Sequence, residues 1–175
     1  MTNPSIVLPA IDVVDDTVPL SPNQATWALR RQRDKVVAAT QSSHDAMFSH
    51  AVEGLSRTER LLVALHACRV SKAPNLAAHY REELAAENAD AAVADAVERG
   101  DIASLADARL RAMLAFAGKL IERPIEGDRA AIEALAAHGL STPALVALSQ
   151  LIAFLSYQIR VVAGLKALAA AEVSA

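Results

Sequence analysis

The sequence predicts an all-α domain from three observations. Helix-start signals recur along the chain: the capping-box pattern Ser56-Arg57-Thr58-Glu59, Asp128 ahead of AAIEALAAH, and Ser141-Thr142-Pro143 ahead of a long apolar run. No segment alternates apolar and polar residues as a half-buried strand does. The 53% hydrophobic content comes mainly from Ala, Leu and Val with only 3% aromatic residues, so helices can approach closely. At 175 residues the chain suits one domain, divided here into an extended N-terminal arm (1–20) and a helical domain (21–175).

Taken in order, Met1 to Leu20 mixes β-branched residues with Pro and Asp at irregular spacing, which predicts an extended arm whose Ile6 to Leu8 and Ile11 to Val14 can dock. With Pro22 at the first helical position, a helix is expected from Ser21 to Phe48, bent near Thr40 to Ser43. Its basic cluster Arg30, Arg31, Arg33 and Lys35 has neither aromatic platforms nor a recognition helix beside it, and reads as a solvated face. The next helix starts at Ser56 and stops near Pro74. Asn75 to Gly100 reads as one or two helices closed by the glycine. The LSRTERLL start also resembles helix-turn-helix regulators, but no basic recognition pattern follows the proline break. Ser104 to Asp107 caps a helix ended by Arg123-Pro124, Gly127 and Gly139 bracket a short one, and the last helix runs from Ser141 through Leu168.

The balance of charges excludes several function classes. A net charge of −3 and a pI near 5.9 give no field that would gather nucleic acid phosphates or an anionic membrane. The single cysteine, Cys68, excludes an internal disulfide framework and suits a reducing compartment. The N-terminus has no basic region ahead of its apolar residues, so no export signal is expected and a cytoplasmic location is. Leu140 to Ile159 carries no charge over 20 residues, but its Ser, Thr, Pro and Gln favour a buried helix over a membrane span.

Local signatures for nucleotide binding, hydrolases, zincins and C-x-x-C redox centres are absent. A di-iron bundle would place Glu three residues before His, whereas Gln41, Met47, Val63, Leu76 and Leu135 stand there, so no metal or cofactor is expected.

The stretch LSRTERLLVALHACRVSKAPNLAAHYREEL resembles the core motif of the alkylhydroperoxidase D and carboxymuconolactone decarboxylase superfamily, in which a capped helix leads into C-x-x-C-x-x-x-H. Downstream, a DxR helix start, FAxKL, a proline-ended loop, a short helix closing at Gly-Leu and a last helix with Arg before Gly-Leu follow that family's order from about Leu55 to Leu165. The resemblance implies an alkylhydroperoxidase D-like helical bundle and a trimer, dimer or hexamer. It places the family histidine on His79, and Lys72 and Asn75 where the two thiols would stand. The relay glutamate falls near Leu61, with Glu59 close by.

Without paired thiols the peroxidase step fails, because a thiolate must attack the O–O bond and a second thiol must resolve the sulfenic acid. Cys68, one turn before Lys72, would need an outside reductant; its other reading is a small buried residue. His79 titrates near neutrality and suits proton transfer, with Arg81, Arg69 or Arg160 to hold an anion, although Glu82 or Glu83 can simply pair with it. Glu59 and His66, seven residues apart on one helix face, can join His79 in a polar pocket, although Glu59 also reads as simply the cap of its helix. His44, His50 and His138 have no partner that the sequence can place.

Two readings follow. One is a thiol-independent, lyase-like enzyme or small-molecule binder at His79. The other is a non-catalytic oligomeric partner of a thiol-bearing homologue. Both expect self-association, because the last helix is apolar on most faces and an oligomer covers it more completely than one domain does. Gel filtration at micromolar concentration should show a dimer or larger species; a strict monomer would contradict this.

Overall fold

The computed structural model describes residues 12–173, and every regular element among them is helical. The expected docking of Ile6 to Leu8 lies outside the described residues. The helices are α1 (Val13–Thr17), α2 (Ala25–Arg31), α3 (Asp34–Phe48), α4 (Arg57–Val70), α5 (Pro74–Ala86), α6 (Ala91–Arg99), α7 (Ala108–Glu122), α8 (Arg129–Ala137) and α9 (Thr142–Val173). Short 3₁₀ turns at Ile102–Ser104 and Pro124–Glu126 flank α7. Helix α4 lies at the centre, against α5, α7, α9 and α6, with α3 on its remaining side. These helices form one bundle packed around α4.

Helix α4 starts as its sequence dictates. The Ser56 Oγ accepts from the Glu59 amide at 3.1 Å, and Glu59 Oε2 accepts from the Ser56 amide at 2.7 Å. Every residue from Arg60 to Cys68 is then buried. Among them Arg60, only 2% exposed, is held by carbonyls: its guanidinium donates to the backbone oxygens of Met47, Ser49 and Ser56. The α3–α4 loop is thereby tied to the middle of the bundle, with a buried charge and buried carbonyls satisfying one another.

Four helices close in the same way. In each, the amide that follows a left-handed residue reaches back one turn and a half: Ala73 to Cys68 O, Ala89 to Leu84 O, Asp101 to Ala96 O, and Leu140 to Leu135 O, at 2.9 to 3.3 Å. The left-handed residue this requires is Gly100 in α6 and Gly139 after α8, but Asn88 after α5 and Lys72 after α4. A lysine there costs about 1 kcal/mol relative to glycine.

Several expected boundaries moved, each for a local reason. Val13–Thr17, expected as extended arm, is helical because Asp12 Oδ1 accepts from the amides of Val14 and Asp15, both at 3.0 Å. Pro22 is not the first residue of a helix. Ser21 and Gln24 bond each other across a turn, and α2 begins after it. The break before Phe48 falls at Gln32-Arg33, where Arg33 has φ −119° and ψ 54°, and not at Thr40 to Ser43. Thr40 and Ser43 are helical, their hydroxyls donating to the carbonyls of Val36 and Ala39 one turn back, each at 2.8 Å. Asp107, not Ser104, caps α7. Helix α9 runs past Leu168 to Val173.

Helix α1 is a small clamp. Arg30 bonds both Asp12, at 3.1 Å, and Asp15, at 2.5 Å, and Arg31 also pairs with Asp15. The expected solvated basic face is therefore partly buried in ion pairs. On the other side, Gln41 Oε1 accepts from the Val13 amide at 3.0 Å, and Asn75 Nδ2 donates to Thr17 O at 2.8 Å. These contacts tie α1 to α2, α3 and α5, and it also packs beside α9.

Helix α9 is long and apolar enough by length and composition to cross a membrane. In this fold Leu148, Leu151, Leu155 and Val162 are buried in the bundle, as expected of a core helix, while Val146, Tyr157 and Leu168 are exposed.

Candidate functional site

The residue types that carry chemistry converge in one place, between α3, α5 and α9. Helix α3 presents His44 one turn before Phe48, α5 presents His79 and Tyr80, and α9 contributes Phe154 and Gln158. The His44 and His79 rings lie 5.8 Å apart between centroids, and His44 stacks on Tyr80 at 6.3 Å. Tyr80, fully buried, donates its hydroxyl to Gln158 Oε1 at 2.5 Å. Three polar atoms in this cluster are buried with no hydrogen-bond partner: Nε2 of His44, Nε2 of His79 and Nε2 of Gln158.

The electrostatics keep both imidazoles neutral. Burial lowers the His79 pKa, opposed by the carboxylates of Glu83, Glu82 and Asp16. Burial also lowers that of His44, against a hydrogen bond to Asp45, and His79 adds to the lowering because two imidazolium charges would repel. Tyr80 is pushed well above its ordinary value, first by burial. At neutral pH each unpartnered Nε2 is therefore either a lone pair that can accept or an N–H that can donate, according to tautomer. At the rim Arg57 is paired with Glu83 and Glu87.

The other sequence candidates do not join this cluster. Glu59 serves the cap of α4 and accepts from Arg109 Nε of α7 at 2.9 Å. His66, 2% exposed, also faces α7, but farther along: a Cβ on Gly118 would stand 3.1 Å from its Nε2, a contact tight enough that the ring would have to shift. The expected pocket of Glu59, His66 and His79 is thus divided between opposite neighbours of α4, because a helix buried all round turns each face to a different partner.

Cys68 is fully buried, and burial pushes its thiol up to about 12. Arg81 pairs with Asp95 of α6, and Arg160 is exposed, donating to Ser156 O at 2.9 Å. Arg69 is exposed and lies over Gly100 at the end of α6. None of the three expected anion-holding arginines contacts His79. At the expected thiol positions, Lys72 is exposed and left-handed, and Asn75 ties down α1.

The sequence reading assigned no role to His44, Tyr80 or Gln158. Gln158 shares the charge-free stretch from Leu140 to Ile159 with a second amide, Gln150, so the sequence does not single it out.

Neither family models nor curated proteins give a match to this sequence. Among solved structures, the chain is similar to an uncharacterized peroxidase-related protein from Silicibacter sp. TM1040. The TM-score is 0.69 over 74% of this chain and 68% of that one, at 20% sequence identity. At that identity the likeness establishes the shared fold and leaves the chemistry to the residues themselves.

Burial lowers His66 from its ordinary 6.5 to about 4, so the unfolded chain takes up a proton first as pH falls. Its contribution to stability is full above about 6.5 and is lost progressively toward 4, and His44 and His79 shift in the same direction. The unfolding temperature should drop as pH is lowered through this window, with a shallower slope in His66→Leu. An unchanged slope in that variant would remove His66 from the account.

Proposed function

We propose that the protein is a thiol-independent relative of the peroxidase-related helical proteins whose working group is the His44–His79 pair, where two neutral imidazoles bind a small ligand and move a proton on it. The observation that carries this reading is the pair of buried Nε2 atoms, one on each ring, with no partner. Buried polar atoms in native proteins are satisfied almost without exception, by protein, water or ligand. Two imidazole nitrogens without a protein partner on adjacent rings can bond one guest together, which the single unpartnered Nδ1 of His66 beside α7 cannot. Neutral histidines below their ordinary pKa act as bases near neutrality, and an imidazole pair can take a proton at one ring and deliver it from the other.

The chemistry favoured is proton transfer on a carboxylated or hydroperoxy compound. Thiol redox is disfavoured, because Lys72 and Asn75 provide no thiol and Cys68 is held protonated. The arginines Arg81, Arg69 and Arg160 lie outside the pair's contacts, so a carboxylate would have to be held by the imidazoles themselves or by Arg57 after it leaves its glutamates. Self-association and a cytoplasmic location belong to the same proposal.

A second reading, a non-catalytic scaffold partnering a thiol-bearing relative, draws on Asn75. At the expected thiol position its amide serves only to fix α1 through Thr17 O. One experiment separates the two. Hydroperoxides and small keto carboxylates are screened for turnover with wild type, His44→Gln and His79→Gln, while imidazole Cε1–H resonances are followed by NMR. The first reading expects a compound that shifts both resonances and turnover that falls about 100-fold or more in His79→Gln. No perturbation of either imidazole by any compound leaves the scaffold.

A further inference from the structure

A second concavity opens on a different side of α4, at its turn into α5. Its volume is about 470 Å³, and Ala73, Ala77 and Ala78 give it an apolar lining with the buried Leu65 and Cys68 beneath. Arg69 and Lys72 stand at its mouth, with Glu98 of α6 across from them. His79 is not among its lining residues, so this is not the imidazole site.

Neither Arg69 nor Lys72 has a carboxylate within 4 Å among the described residues, whereas Arg30, Arg31, Arg57, Arg81 and Arg109 all hold carboxylates. The Arg69 guanidinium lies over Gly100, where a Cβ would approach its Nη1 to 2.6 Å, so a larger residue there would displace this flexible side chain. Lys72 occupies the left-handed closing position of α4, φ 56°, which glycine fills at lower cost. Between them α5 begins at Pro74 with no side-chain cap, so the positive end of its dipole faces the same rim.

We propose that this concavity is a binding site for a small organic monocarboxylate with an apolar body, its carboxylate between Arg69 and Lys72 and its chain over Ala73, Ala77 and Ala78. The charges decide the class. Two cations against the single carboxylate of Glu98 leave one net positive charge, which suits a monoanion better than a phosphate dianion. The apolar lining and the volume suit a chain of about ten carbons, since small-molecule pockets are a few hundred Å³ with few polar groups at fixed places.

Isothermal titration calorimetry with decanoate and decan-1-ol tests this on wild type, Arg69→Gln, Lys72→Gln and Ala78→Phe. All three substituted side chains are exposed, so circular dichroism should show an unchanged helical fold. Decanoate should bind saturably, at least tenfold tighter than decanol. Each charge variant should weaken decanoate at least fivefold and leave decanol unchanged, and Ala78→Phe should abolish both. Equal affinity for acid and alcohol, indifference of decanoate to both charge variants, binding that survives Ala78→Phe, or no saturable binding up to about 1 mM would each overturn the proposal. The His44–His79 pair is untouched by these variants, so failure here leaves the imidazole reading standing.

Discussion

The fold depends on the burial of one helix on every side. From Arg60 to Cys68, α4 has no face toward water, and the neighbours that enclose it are α5, α7, α9, α6 and α3. Small residues permit that enclosure: Ala64 and Ala67 on α4, Ala117 on α7 and Ala144 on α9 are all buried, and Gly118 makes room for His66. Each fully buried leucine in this core contributes about 2 kcal/mol by removal from water, and any enlargement at the alanines would force neighbouring helices apart. The one charge carried into the centre, Arg60, is satisfied by the carbonyls of the loop that delivers the chain to α4.

The same enclosure distributes the chemistry. Residues that look adjacent along α4 meet different partners: Glu59 meets Arg109, His66 meets Gly118, Cys68 lies beneath a concavity, and Arg69 meets Gly100. No single pocket gathers them. What gathers instead comes from three other helices, with His44, His79 with Tyr80, and Gln158 drawn together by α3, α5 and α9.

Features governed by local physics were legible in the sequence. The capping box at Ser56, the cap at Asp128, Pro74 opening α5 and the glycine closing α6 each follow from hydrogen bonds within a few residues, and each stands where it was expected. The all-helical class followed from the same signals. Long-range pairings were not legible. Asn75 finds Thr17 O across 58 residues, Tyr80 finds Gln158 across 78, and Asp12 recruits Arg30 across 18. No periodicity announces such contacts. His44 was therefore unassigned although its ring lies against His79, and Glu59 and His66 were grouped by face although α7 meets them at separate points.

Thiol chemistry is where the fold and its residues part company. The helical bundle is similar to that of a peroxidase-related protein, yet Lys72 closes a helix and Asn75 clips α1 where the sequence resemblance would place thiols. A thiol at about 12 leaves on the order of one thiolate in 10⁵ at pH 7, too few to attack a peroxide at a useful rate. Peroxide consumption in the presence of dithiothreitol, compared between wild type and Cys68→Ser, measures this directly. The account predicts no turnover above the reagent background in either protein. Turnover in wild type that disappears in Cys68→Ser would contradict it.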